Sequence, residues 1–129
     1  MGETMTPISV LLVEDVVLIS NLVADCLTAS GFAVHEVTTA DEALRYIDSG
    51  ANIDVLFTDV NLPGDMDGAE LATRARERRP EMPIVYASGR FKLSDIAPLV
   101  PRSLFMSKPY DPADVCALLT RLTSAGPRA

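Results

Sequence analysis

Three acidic positions, a hydroxyl and a lysine each follow a short apolar run in this sequence. Glu14-Asp15 follow residues 8–13, Asp59 follows 53–58, Ser88 follows 83–87, and Lys108 follows 103–107. An aspartate can attack an electrophile, and a lysine and a hydroxyl can stabilise an anion. Clustered carboxylates repel one another unless a counter-charge joins them. A hard divalent cation meets that need: Mg²⁺ takes one or two carboxylates, completes its octahedron with other oxygens, and leaves positions for phosphate. If these residues meet, the kit suits phosphoryl transfer to a carboxylate, with Asp59 as acceptor. Each member has a plainer reading on its own. Asp59 can simply end a strand, because Asp is common in turns, and Asp15 can be a helix N-cap.

The elements that would position these residues alternate strictly. Residues 8–13 form a β-prone run with no polar face, as in a strand covered on both sides. A helical pattern follows over 16–30, with Ile19, Leu22, Val23, Cys26 and Leu27 on its inner face and Gly31 as the stop. A second strand is expected over 32–37. Thr39 and Glu42 then form a capping box for a helix whose inner face is Ala43, Leu44 and Ile47, ending near Gly50. A third strand is expected over 53–58, a loop over 61–68, and a helix over 69–79 that Pro80 terminates. Its Arg74, Arg76, Glu77, Arg78 and Arg79 read as a solvated face.

A fourth strand is expected over 83–87. Ser94 is a candidate cap for a helix over 95–100, which Pro98 and Pro101 limit to about a turn. A fifth strand over 103–107 is followed by a helix with Asp111 as N-cap, Pro112 at N1, and Val115, Leu118, Leu119 and Leu122 as its buried stripe.

The alternation specifies an α/β fold, a five-stranded parallel sheet with right-handed crossovers. Strand order 2-1-3-4-5, the doubly wound flavodoxin-like arrangement, makes strands 1 and 3 neighbours and puts ligands beyond the carboxyl ends of the strands. Neighbouring strands lie ~4.8 Å apart, so Glu14, Asp15 and Asp59 crowd into one pocket. Lys108 starts about two strands away, within reach of its side chain. The backbone carbonyl of Asn61, two residues past Asp59, is a candidate additional metal ligand.

Composition bounds the remaining possibilities. The 129 residues are expected to form a single domain, with a core over about 8–122 and tails at 1–7 and 124–129. With 11 basic and 18 acidic residues the net charge is −7, which argues against direct binding to nucleic acid or an anionic membrane. No run approaches a membrane span and no signal peptide is evident, so a cytoplasmic location is expected. Cys26 and Cys116 lie far apart in apolar helical patterns, and both are read as core residues in a reduced setting rather than as a disulfide framework. His35, the only histidine, is read as a surface or core residue on a strand.

From about Ile8 to Leu122 the chain resembles response-regulator receiver domains. Glu14-Asp15 match the family's acid pair, Asp59 its phosphoacceptor, Ser88 its Thr/Ser position, Lys108-Pro109 its Lys-Pro dipeptide, and Phe105 its switching aromatic. The resemblance implies a role in two-component signalling. Asp59 would accept a phosphoryl group from a histidine kinase or histidine phosphotransfer protein, with Mg²⁺ or Mn²⁺ held by Glu14, Asp15, Asp59 and the Asn61 carbonyl. Ser88 and Phe105 would switch a protein-interaction surface, and Asn61 and Arg90 would tune the lifetime of the phosphorylated state. Catalysis would be limited to self-phosphotransfer and autodephosphorylation, so the chain is not expected to be an enzyme. A monomer or weak dimer is expected, acting as a switch, relay or phosphate sink.

Two departures from the family pattern stand out. The loop over 62–68 is one residue longer than the commonest form, and the interval from Ser88 to Lys108 is short and proline-broken, leaving a reduced fourth helix. The stretch 86–90 also resembles a subgroup of single-domain receivers with a degenerate fourth helix. Alternatives are a pseudo-receiver binding module, a receiver excised from a hybrid kinase or larger regulator, and a Mg²⁺-dependent phosphatase. The last is disfavoured because Asn61 stands where such hydrolases carry a general-acid Asp.

Overall fold

Strand sequences divide by how many faces they bury, and the sheet order follows that division. The computed structural model of the protein describes residues 7–89 and 100–124. Within it, β1 (Ser9–Val13), β2 (Ala33–Val37), β3 (Val55–Asp59), β4 (Ile84–Ser88) and β5 (Ser103–Ser107) form one parallel sheet in the order β2-β1-β3-β4-β5. Every residue of β3 and β4 is buried, as a continuous apolar run demands when helices cover both faces. The edge strands β2 and β5 keep mostly exposed or half-buried residues.

Alternate strand residues feed two cores. On one face, α1 (Val17–Ala29) and α4 (Pro112–Ser124) bring Val23, Leu27, Val115 and Leu119 onto Val10, Leu12, Phe57 and Val85. On the other, α2 (Ala40–Asp48) and α3 (Gly68–Arg78) bring Ala43, Ile47, Leu71 and Ala75 onto Leu11, Leu56, Ile84 and Tyr86. The helices begin and end largely where local chemistry demands. The Thr39 hydroxyl accepts from Glu42 N–H at α2, Asp67 accepts from Glu70 N–H at α3, and Asp111 Oδ1 accepts from Ala113 N–H at α4. Gly31 and Gly50 follow α1 and α2 at positive φ. None of the described helices is long and apolar enough to cross a membrane.

Four expectations need correction. The Glu42 carboxylate engages Thr39 only weakly, short of a standard capping box; Oε1 accepts chiefly from the amide and hydroxyl of Thr38. The inner face of α1 is rotated from the expected stripe. Ser20, Val23, Ala24 and Leu27 point inward, while Leu22 is 52% exposed. Ser20 Oγ donates to Glu36 Oε1 on β2 at 2.7 Å, which helps fix that rotation.

The third correction concerns α3, whose basic cluster is not a uniformly solvated face. Arg74 and Arg78 pair with Glu70 and Asp48, but the half-buried Arg76 donates to the carbonyls of Arg79 and Pro101, and Arg79 to those of Ile47 and Ala51. These two guanidinium groups tie connecting segments together. The fourth concerns the cysteines: Cys116 is buried as expected, but Cys26 is only half-buried.

The short helix expected over 95–100 and the tails expected at 1–7 and 124–129 fall outside the described residues except for residues 100, 7 and 124. Arg90 also falls outside them.

Candidate phosphoryl-acceptor site

Strand register brings the chemical residues to one edge of the sheet. Val13 pairs with Thr58 and Asp59 with Ala87, so Glu14 and Asp59 leave neighbouring strands at the same level. Ser88 pairs with Ser107, which puts Lys108 beyond the end of β5, two strands from Asp59. The lysine must pass over the end of β4, where Ala87, Ser88 and Gly89 are all small. A Cβ on Gly89 would stand 3.2 Å from Lys108 Cβ, tighter than ordinary contact.

The lysine spans that distance. Its Nζ lies 3.0 Å from Asp59 Oδ2 and 3.1 Å from Glu14 Oε1. Glu14 and Asp59 are buried, at 2% and 7% exposure, while Asp15 is exposed. One carboxylate oxygen from each of Glu14, Asp15 and Asp59 lies within 4.8 Å of the others. Asp59 Oδ1 accepts from the backbone N–H of Asn61 at 3.2 Å, and Glu14 Oε2 from that of Val16 at 3.1 Å. Asp15 does not cap α1: Val16 occupies the N-cap position, without a side-chain cap. The plainer reading of Asp15 is thereby removed.

Electrostatics follow from this packing. Burial pushes the Glu14 carboxyl above its ordinary range; the Asp59 charge adds to the shift, while the Val16 N–H and Lys108 oppose it. Burial pulls Lys108 down, but the hydrogen bond and charge of Asp59, together with Glu14, outweigh it and hold the ammonium above its usual value. Desolvation also lifts the Tyr110 phenol to about 12, with the Glu14 charge contributing. Its hydroxyl is buried without a hydrogen-bond partner among the described residues.

The donor set fits a hard divalent cation: three convergent carboxylates, one open to solvent, with no sulfur or imidazole among them. Lys108 supplies a counter-charge to two of the three. Ser88 is buried at the end of β4, beside the pocket. Phe105 is half-buried on β5, paired in register with Tyr86 and packed against the α2–α3 core. Of the residues named from the sequence, Glu14, Asp15, Asp59 and Lys108 converge here, Ser88 ends the adjacent strand, Phe105 packs into the α2–α3 core instead, and Arg90 lies outside the described residues.

Some features were missed. Lys108 bridges Glu14 as well as Asp59, a contact that depends on side-chain reach across three strands. Gly68 is the other omission. It begins α3, its N–H donates to Val60 O at 2.8 Å, and a Cβ there would fall 2.0 Å from the Asp59 carbonyl oxygen. A glycine directly after the Asp67 cap, where a better helix former would normally stand, was the available signal.

Comparison with known proteins agrees with this geometry. Residues 10–120 match the family model for the response regulator receiver domain. The chain is 32% identical over 122 residues to the transcriptional regulatory protein TcrA of Mycobacterium tuberculosis, covering 93% of this chain and 47% of TcrA. It is 33% identical over 82 residues to the sensor kinase CckA of Brucella abortus, covering 63% of this chain and 9% of that one. The chain therefore spans about half of TcrA and a small part of CckA. The crystal structure of a response regulator receiver protein from Sinorhizobium medicae superposes with a TM-score of 0.85 at 34% identity, covering 92% of this chain and 96% of that one. With the acid pocket, the lysine and the 2-1-3-4-5 sheet all in place, the chain belongs to the response-regulator receiver family of two-component signal transduction.

Proposed function

We propose that this receiver accepts a phosphoryl group on Asp59 from a phosphohistidine of a histidine kinase or histidine phosphotransfer protein. The observation that carries this reading is the Lys108 ammonium, within 3.1 Å of both Glu14 and Asp59, at the mouth of a three-carboxylate pocket. Mg²⁺ or Mn²⁺, held by Glu14, Asp15, Asp59 and the Asn61 carbonyl, would supply counter-charge to the phosphoryl oxygens. Asp59 attacks phosphorus, and the P–N bond to the donor histidine breaks with its electron pair leaving on nitrogen. The Asn61 N–H and Lys108 hold the attacking carboxylate in place beforehand, so little reorientation is needed. Lys108 then pairs with a phosphoryl oxygen, and the Ser88 hydroxyl donates to another.

Movement of Ser88 toward the phosphoryl group frees space on the β4–β5 side, which Phe105 takes by turning inward. A local change of charge thereby becomes a change of surface. Water attacking the acyl phosphate returns Asp59 to its free carboxylate, and we assign the tuning of that step to Asn61 and, from the sequence alone, Arg90. Catalysis extends no further than this self-phosphotransfer and hydrolysis. The exposed Val17, Leu18 and Leu22 of α1 offer apolar ground near the pocket for the incoming phosphodonor protein.

We read the protein as cytoplasmic, monomeric or weakly dimeric, and without direct contact to nucleic acid or membrane, in keeping with its net charge of −7. A second arrangement, as one module of a larger regulator or hybrid kinase, is favoured by the chain's covering about half of TcrA and a small part of CckA.

The test is incubation with a small acyl-phosphate donor, with and without Mg²⁺, read by intact mass. One phosphoryl group is expected, dependent on Mg²⁺ and absent in Asp59→Asn. Incorporation that survives Asp59→Asn would overturn the assignment.

A further inference from the structure

The two cysteines are separated by 90 residues of sequence, yet Cys116 Sγ lies 2.9 Å from Cys26 Sγ. Cys26 is on α1 and Cys116 on α4, and both pack into the core between those helices and the sheet. The phosphoacceptor chemistry uses neither. We propose that Cys26 and Cys116 form a redox pair that closes to an intramolecular disulfide and locks α1 to α4.

The geometry decides how this would proceed. Cys26 is half-exposed and Cys116 is buried, so an oxidant meets Cys26 first. Burial and the adjacent Cys26 sulfur raise the Cys116 thiol to about 11, so it stays protonated while Cys26 reacts first. Its 2.9 Å contact with the Cys26 sulfur is what lets it act in the second, resolving step. The oxidant is a low-molecular-weight disulfide such as oxidised glutathione. The Cys26 thiolate attacks one of its sulfurs, the S–S bond breaks, and one small thiolate leaves. Cys116 then loses its proton and attacks the Cys26 sulfur of the mixed disulfide, expelling the second small thiolate. Two protein thiols are oxidised, one small disulfide is reduced to two thiols, and the protons are conserved between them. With the sulfurs already in contact, the second step requires only a small approach of the two helices.

The lock has a defined place relative to the acid pocket. A cleft of about 460 Å³ opens between α1 and the β5–α4 connection, lined by Leu22, Val23, Lys108, Tyr110 and Pro112 among others. Cys26 is one turn beyond Leu22 and Val23 on α1, and Cys116 one turn beyond Pro112 on α4. The disulfide would therefore clamp the two walls one turn below the cleft that Lys108 borders. The helices it joins follow β1 and β5, the strands that deliver Glu14 and Lys108.

The experiment uses the full chain, reduced and then exposed to oxidised glutathione. The expected product is a monomer lighter by two hydrogen atoms, with a Cys26–Cys116 peptide in a digest, restored by a dithiol reductant. Amide exchange in α1 and α4 should slow on the order of tenfold or more, the scale set by the usual stabilisation from a disulfide. Cys26→Ser and Cys116→Ser should each hold at most one glutathione and form no internal bond; Cys116→Ala serves if serine at the buried site unfolds the chain. A mixed disulfide that persists on Cys26 in the natural sequence, a disulfide between two chains, or unchanged thiols would each overturn the proposal.

Discussion

Gly68→Ala tests whether the start of α3 sets the position of the phosphoacceptor strand. An added methyl group would stand 2.0 Å from the Asp59 carbonyl oxygen and 2.8 Å from both Asp59 C and Val60 Cα, against 3.4–4 Å for ordinary contact. All three are backbone atoms, so no side chain can swing aside. Either α3 or the end of β3 must move by more than an ångström, straining the Gly68 N–H to Val60 O bond. Overpacking of this kind costs ~1–3 kcal/mol, more when backbone must move. The gain in helix propensity from replacing glycine is at most ~1 kcal/mol, and less in the first turn.

A net loss of about 1–3 kcal/mol corresponds to a fall in Tm of roughly 4–12 °C for a domain of this size. Displacing the Asp59 carboxylate by an ångström should also slow phosphorylation by about 10²-fold. The assays are thermal unfolding by circular dichroism and phosphorylation from a small acyl phosphate. Gly50→Ala is the control: it meets no atom within 4 Å but sits at φ +86°. It should cost ~1 kcal/mol through backbone strain and leave phosphorylation unchanged. If Gly68→Ala matches the natural sequence in both Tm and rate, the steric argument fails.

Two further perturbations probe the pocket's charge. The Glu14 carboxyl is raised above 4.5 on folding, chiefly by burial. Its neutral form is thus the one that folding favours, so this contribution is complete below pH 4.5 and is lost as pH rises through the raised value. In metal-free protein, Glu14→Gln should become progressively more stable than the natural sequence across that rise and hold a constant advantage above it; a pH-independent difference in Tm would contradict this. Lys108→Met leaves Glu14 and Asp59 buried without their ammonium partner. It should destabilise metal-free protein by about 1–3 kcal/mol, toward the lower end because the lysine keeps some solvent contact. Mg²⁺ at ten times its Kd should then return about 1.4 kcal/mol, read as a rise in Tm; no response to Mg²⁺ would remove the pocket's claim to bind a cation.

Most of the frame was legible because it rests on local chain chemistry. A continuous apolar run can only be a doubly covered strand here, and β3 and β4 are buried throughout. Side-chain caps read at Thr39 and Asp111, with Gly31 and Gly50 as stops, bound their helices within a residue or two, whereas the Asp67 cap of α3 emerged only in the structure. The 2-1-3-4-5 order follows from alternation and crossover handedness, and with it the convergence of Glu14, Asp15, Asp59, Ser88 and Lys108 on one edge. The rotation of α1 was not legible. Its stripe of Ile19, Leu22, Val23, Cys26 and Leu27 is apolar, but the Ser20–Glu36 bond and the packing against α4 turn Leu22 outward.

The sequence by itself therefore determined which residues arrive at the carboxyl ends of the strands, because strand, turn and helix signals are local and the topology has few solutions. Only the tertiary structure decided how those residues touch. Lys108 holds Glu14 as well as Asp59 because a four-carbon stem crosses a strand end kept small by Ala87, Ser88 and Gly89. Gly68 lies so close to the Asp59 carbonyl because α3 starts against the end of β3. Cys26 and Cys116, 90 residues apart, meet because two helices share one face of the sheet. Contacts of this kind depend on distances between elements, which no local pattern of residues encodes.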